Sequence, residues 1–185
     1  MRSSRDKRGF TLIEAMIVVL IIGVLSLLAV VAYKRWIRTS YLAEAYDMVS
    51  NIRSAEESFR AENGVYLTIS KGLEPESSNM YPAATPGAFK TQWGGTCSNC
   101  VRPWSSLTVE AKGGPLAFGY AVISNDTGAP PTITVNGTDV ANLKTNLTAP
   151  WYIVEAAGDI DGNGVFTKVY GFSNGSGLLV DHEGE

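Results

Sequence analysis

Residues 9–33 read GFTLIEAMIVVLIIGVLSLLAVVAY, and from residue 12 to residue 33 this stretch holds one charged side chain, Glu14. As an α-helix rising 1.5 Å per residue, that run would be about 33 Å long, enough to cross a bilayer core of about 30 Å. Lys7 and Arg8 stand immediately before Gly9, so the apolar run starts behind a short basic leader. A secretory signal peptide has an apolar core of about 7 to 15 residues and then a small-residue cleavage site. This segment is longer and no such site follows it, so it is expected to stay in the product. Basic residues flank both ends, Arg2, Arg5, Lys7 and Arg8 before and Lys34, Arg35 and Arg38 after. Charge asymmetry therefore gives only a slight preference for a cytoplasmic amino terminus.

Glu14 is the feature that needs an explanation, because a carboxylate within a membrane helix costs roughly 3 kcal/mol. One reading is a carboxylate in the first helical turn, favoured by the helix dipole and snorkelling to the interface. The other is a partner for a positive charge. A cut between Gly9 and Phe10 would create an amino group one helical turn from Glu14. That terminus on one subunit could pair with Glu14 of a neighbour inside an apolar assembly. The residue alone leaves both readings open.

The run KRGFTLIE, residues 7–14, resembles the leader and cleavage site of type IV pilins and the related pseudopilins. The following AMIVVLIIGVL, residues 15–25, is similar to the same family, including Gly23 in mid-helix. The resemblance implies that a prepilin peptidase cuts after Gly9, that Phe10 becomes the N-methylated terminal residue, and that Glu14 supports assembly into a filament. It covers residues 7–33 closely and the remainder loosely. Many pilins carry a proline after the glycine matching Gly23. Here Leu28, Ala29, Val30, Val31 and Ala32 stand there instead, which favours an unbroken helix.

With 185 residues the chain allows one domain plus an anchor. Its net charge is −3; loss of residues 1–9 removes four of 15 basic and one of 18 acidic residues, leaving 11 against 17, or −6. That balance argues against nucleic-acid binding by the head.

After residue 33 the helix is expected to continue as an amphipathic rod. Tyr41, Ala45, Met48, Ile52, Ala55 and Phe59 recur at steps of three or four, with Glu44, Asp47, Arg53, Glu57 and Arg60 largely on other faces. Asn63 and Gly64 form a stop signal. Residues 65–104 read as an irregular connection rich in Gly, Pro and Ser, punctuated by Glu74-Pro75, Tyr81-Pro82 and Thr85-Pro86. Residues 115–124, 151–156 and 165–172 carry strand signals separated by turn clusters, and residues 132–135 offer a further short strand. The sheet would bury one face on the amphipathic helix, giving an α+β fold with Tyr120, Trp151, Phe166 and Tyr170 as core. With the family resemblance this becomes a pilin-like ladle, a long helix packed on an antiparallel sheet of three to four strands. Its parts are a leader at 1–9, a membrane or filament-core segment at 10–33, the amphipathic half at 34–63, and a head at 64–185. Within the head, residues 64–114 are loop and 115–185 sheet.

Cys97 and Cys100 form a C-x-x-C in a loop. The periplasmic or extracellular location implied by the resemblance makes a small local disulfide the natural product. Zinc would need two more ligands where His182 is the only histidine, and no βαβ context supports a redox pair. Asp159, Asp161 and Asn163 alternate in DIDGNG, the first half of a calcium-loop pattern, so calcium (Ca2+) is a candidate cofactor. The position of the bidentate glutamate is Tyr170; Asp181, Glu183 or a carbonyl would have to complete the set, and the alternative is a hairpin turn. The triplets starting at Asn125, Asn136, Asn146 and Asn174 match the glycosylation pattern and read as turns. No arrangement of nucleophile, base and orienting group is present, and His182 reads as a solvated tail residue, so no enzymatic activity is expected.

The sequence thus points to a filament subunit, a pilin or minor pilin. Its implied partners are itself or other pilins, the prepilin peptidase, the inner membrane and the pilus assembly machinery. Its expected course runs from a single-pass inner-membrane precursor with a periplasmic head to an extracellular pilus or a periplasmic pseudopilus. The family's roles are adhesion, surface motility, DNA uptake and secretion. The alternatives are a pseudopilin of a type II secretion system and, from another class, a membrane-anchored periplasmic binding module that does not polymerise.

Overall fold

In the computed structural model, which describes residues 9–111, 113–140, 149–175 and 177–183, one helix, α1, runs Leu12–Asn63 over 52 residues. It contains no proline, and it ends where the sequence signals a stop. Gly64 takes φ +80°, the left-handed conformation that favours glycine, and its N–H donates to Arg60 O at 2.8 Å. The residues divide into two units, one up to Ile37 and one from Arg38 onward. In the first unit the large apolar side chains are exposed, among them Leu12 at 79%, Leu20 at 68% and Leu27 at 74%. By length and composition this helix is able to cross a membrane.

In the second unit α1 buries Leu42, Ala45, Met48, Val49, Ile52 and Glu56, a stripe at helical spacing. Tyr41, Ala55 and Phe59, expected on that stripe, are half-buried at its margin. The stripe meets a four-stranded antiparallel sheet of β1 (Gly119–Asn125), β4 (Trp151–Gly158), β5 (Thr167–Phe172) and β6 (Leu179–Asp181), neighbours in that order. The register sets Val122 opposite Val154, Ile153 opposite Phe172 and Val169 opposite Val180. Tyr120, Val122, Tyr152, Val154, Ala156 and Val169 share a core with the helix stripe. The approach is close at Gly171, where an added Cβ would lie 2.6 Å from Arg53 Cδ and 2.8 Å from Val49 Cγ1. A small hairpin, β2 (Thr134–Val135) with β3 (Thr138–Asp139), stands apart from the sheet order. Its turn is Asn136 and Gly137, both at positive φ, the pairing such two-residue loops demand.

The sheet is covered on both faces, where the sequence suggested one. All eight residues of β4 are buried. On the face away from α1, Ala121, Trp151, Ile153, Ala157, Tyr170 and Phe172 cluster with Leu73, Met80 and Ile133. The connection after the helix supplies that cover and is more than an irregular loop. Ser70 N donates to Val122 O at 2.8 Å, Tyr81 and Tyr120 exchange backbone bonds at 3.0 and 2.7 Å, and Thr91 and Leu116 at 2.8 and 2.9 Å. Cross-chain bridges of this kind carry no periodicity, so the local pattern did not reveal them.

Glu56 is completely buried on the helix stripe. Its Oε2 accepts Leu67 N–H at 2.9 Å, while Oε1 has no partner among the described residues. Burial is the main cause that pushes its carboxyl up to about 7. A carboxyl whose pKa is higher folded than unfolded favours the fold at low pH, and this contribution is lost as pH rises from about 4.5 to about 7. The loss amounts to about 3 kcal/mol at most. Thermal unfolding of the full chain in detergent should therefore shift to lower temperature across that window. Glu56→Gln, which keeps an acceptor for Leu67 N–H, should make the shift clearly smaller. An unchanged pH profile in the variant would contradict this assignment.

Candidate functional site

Two regions hold the residues that the sequence singles out: the start of α1, and loops of the head. Thr11 is the residue before the first helical turn, and Glu14 is the third within it. Glu14 N–H donates to Thr11 Oγ1 at 3.3 Å. In return Glu14 Oε2 accepts Thr11 N–H at 2.9 Å and the Thr11 hydroxyl at 2.8 Å. This is a reciprocal capping box, which satisfies two amides that a helix start otherwise leaves without partners. The helix thus uses one carboxylate oxygen of Glu14, and the other accepts no hydrogen bond among the described residues. Phe10 is 87% exposed just before the cap. Lys7 and Arg8 lie outside the described residues.

Gly9 and Gly23 are glycines that the fold itself does not require. A Cβ added at either position meets no atom within 4 Å, and neither has positive φ. In mid-helix Gly23 costs about 1 kcal/mol relative to alanine. Nothing among the described residues uses the space it leaves. The surrounding surface is contiguous and apolar, far beyond what a soluble monomer exposes.

In the head, Cys97 and Cys100 form the disulfide expected from the location that the resemblance implies. Both are half-buried against the main core, and Cys100 bridges Ser70, so the bond ties the loop to the body. Nearby, Trp93 lies 4.7 Å from Tyr81, 5.2 Å from Trp104 and 6.2 Å from Tyr120, ring centre to ring centre.

Asp159, Asp161 and Asn163 come together in the turn after β4. Asp159 Oδ1 accepts Gly162 N–H at 2.8 Å and Asn163 N–H at 3.1 Å, and its Oδ2 accepts Gly164 N–H at 3.0 Å. Asp161 Oδ2 accepts from Arg38 at 3.1 Å and from the Asn163 amide at 3.2 Å, and Asn163 Oδ1 accepts Val165 N–H at 2.7 Å. The loop is closed by its own amides and by a guanidinium. Asp181 is engaged elsewhere, accepting Asn136 N–H at 2.7 Å and pairing with His182 Nδ1 at 3.2 Å. Among the described residues no three His, Cys, Asp or Glu side chains form a metal-holding group. Calcium takes six to eight oxygens, of which Asp159, Asp161 and Asn163 would supply only a part.

Sequence reading missed Glu56 and Glu155, both buried. For Glu56 the signal was available: it follows Ile52 by one turn on the buried stripe. For Glu155 the signal was an apolar run interrupted once, as in a strand covered on both sides.

A family described as the prokaryotic N-terminal methylation motif matches residues 4–30, which include Gly9, Phe10, Glu14 and Gly23. The type IV major pilin protein PilA of Myxococcus xanthus is 36% identical over 131 residues, 68% of this chain and 54% of that protein. The fimbrial protein EcpC of Eikenella corrodens is 37% identical over 60 residues, 32% of this chain and 39% of that protein. A fimbrial protein of Moraxella nonliquefaciens is 38% identical over 58 residues, 31% of this chain and 37% of that protein. The chain thus spans about half the length of the first relative and less of the other two. No solved structure matches the chain significantly.

The turn after β4 gives a direct contrast. Asp159→Ala removes the buried carboxylate that accepts from three backbone amides and should cost about 3 kcal/mol. Asp161→Ala loses an exposed pair with Arg38 and should cost less than about 1 kcal/mol. Thermal unfolding of both variants of the full chain in detergent, with and without added calcium, checks the order. Equal losses, or a calcium-dependent rise that Asp161→Ala abolishes, would contradict a turn held by Asp159.

Proposed function

We propose, on the premise that this chain belongs to the type IV pilin family, that it is a structural subunit assembled through its amino-terminal helix into a type IV pilus. The observation that carries this reading is the coincidence, within residues 4–30, of the methylation motif with an apolar helix surface left exposed by its own chain. In this reading a prepilin peptidase cuts between Gly9 and Phe10, and Phe10 receives the methyl group. Gly9 suits such a cut because its small size serves no contact within the fold. The precursor spans the inner membrane once, with its head in the periplasm. The pilus machinery then extracts it into an extracellular filament.

The capping box gives Glu14 two uses at once. One oxygen holds the helix start, and the other is available to the terminal amine of a neighbouring subunit. Pairing of that kind is strong in an apolar interior, where an unpaired carboxylate is costly. Gly23 allows the closest approach of a second helix along the same surface. The 131-residue match to a protein named as a type IV major pilin supports a pilus over a secretion pseudopilus. The unbroken helix supports a minor subunit or a pseudopilin, and abundance in isolated filaments decides between these roles.

Two variants test the assembly reading. Replacing Gly9 with a bulky residue, Gly9→Trp, should leave full-length precursor in the inner membrane. Glu14→Ala should be cut as usual, give the mass of a chain starting at Phe10, and be lost from sheared filaments. A Glu14→Ala chain that enters filaments at the ordinary level would overturn the role given to Glu14. A Gly9→Trp product still starting at Phe10 would overturn the processing site.

A further inference from the structure

The face of the sheet turned away from α1 holds Glu155 beneath a cover. Glu155 stands in the middle of β4, opposite Ala121 of β1 and Tyr170 of β5. It is 2% exposed, and its Oε1 is buried without a hydrogen-bond partner. Residues 71–80 cross this face, contributing Leu73 and Met80 to the apolar cluster around it. Both ends of the crossing are fastened to β1. Ser70 N–H donates to Val122 O at 2.8 Å and Ser70 Oγ accepts Val122 N–H at 3.2 Å; beyond the other end stands the Tyr81–Tyr120 pair. Between these fastenings lies a single short 3-10 turn, Pro75–Ser77.

The charges around Glu155 are mostly of its own sign. The crossing carries Lys71, Glu74 and Glu76, all exposed. From β5 come Lys168, whose Nζ is 3.9 Å from Glu76 Oε1, and the Tyr170 hydroxyl. From β6 comes Asp181, which also bonds Asn136 and His182. The β2–β3 hairpin brings Asp139, which accepts from Thr134 at 2.8 Å. On β1 the register partner is Ala121, and α1 lies on the opposite face. Lys168 is thus the one cation on the strands flanking Glu155, and it is shared with Glu76. Burial is the largest influence and pushes the Glu155 carboxyl up to about 8; Lys168 opposes this, while Glu76, Glu74 and Asp181 add to it.

We propose that residues 71–80 form a proton-gated strap over the outer face of the sheet. Protonated Glu155 holds the strap shut, and ionised Glu155 loosens it. As an acid, Glu155 is compatible with its apolar surroundings. As an anion its Oε1 has no donor among the described residues, it lies under two strap glutamates, and it gains by admitting water. Opening uncovers Ile153, Tyr170 and Phe172, so this apolar face is hidden in acid and exposed as pH rises.

In the open strap Glu155 returns to the ordinary carboxyl range. The closed form is therefore favoured below about pH 4.5 and loses ground up to about pH 8, by at most tenfold per pH unit. Hydrogen exchange of the full chain in detergent reads this, with rates corrected for the intrinsic pH dependence of exchange. Protection of residues 73–80 should fall at least about tenfold between pH 5 and pH 8, beyond any change in α1 residues 42–52. Glu155→Gln should abolish the strap-specific fall and leave the α1 response in place. Should that variant fail to fold, the exposed double variant Glu74→Gln with Glu76→Gln serves instead and should give a shallower fall. A flat profile in the unmodified chain, the same fall in Glu155→Gln, or an undiminished fall in the double variant would overturn the proposal.

Discussion

Apolar side chains on α1 from Leu12 to Val31 find no cover among the described residues, and that constraint governs the rest. Each such side chain gains about 1.5–3 kcal/mol on burial, so the stretch must be taken up by lipid or by other helices. Lipid satisfies the alkyl groups but makes a poor home for Glu14, whereas a bundle of like helices accommodates both. The cap by Thr11 reconciles these environments. It keeps one oxygen of the carboxylate bonded wherever the helix resides. Gly23 fits the same logic, since its open space has value only to a neighbouring surface.

The head is built so that association through its sheet is discouraged. Exposed sheet edges invite pairing with other chains. The outer edge of β1 is occupied by backbone bonds from Ile69, Ser70 and Tyr81. At the other edge β6 has three residues, and the hairpin is fastened there by Asn136 to Asp181 and to Val180 O. With both edges occupied and both faces covered, most exposed large apolar side chains of the described residues lie on the helix. The two buried glutamates lie on opposite faces of the sheet and make the head's stability respond to pH in the near-neutral range.

Legibility in the sequence followed the range of the interactions involved. The apolar run, the helix stop at Asn63 and Gly64, and the three main strands rest on local periodicity and turn chemistry. All were readable within a few residues of their boundaries. Asp159 and Asp161 were readable as a pattern, but their role depended on which amides and which guanidinium they met, and Arg38 is far away in sequence. β6 is too short to show a period. The cover of the outer sheet face depends on isolated bridges between distant residues, which no window of sequence contains. Glu155 was hidden for the same reason, since its environment is assembled from β5, β6 and the strap. Gly9, Phe10 and Glu14 were legible because they fall within a local motif spanning residues 4–30, which needs no fold to be read.

The central claim is that the basic leader is removed and the exposed helices then pack together, each Glu14 facing a terminal amine. Mass spectrometry of the native protein from sheared surface filaments tests it most directly, because one spectrum reports both the terminus and its modification. The account predicts a chain beginning at Phe10 with one added methyl group, recovered in filaments. A chain that retains residues 1–9 and is found only as single copies in the membrane would contradict it.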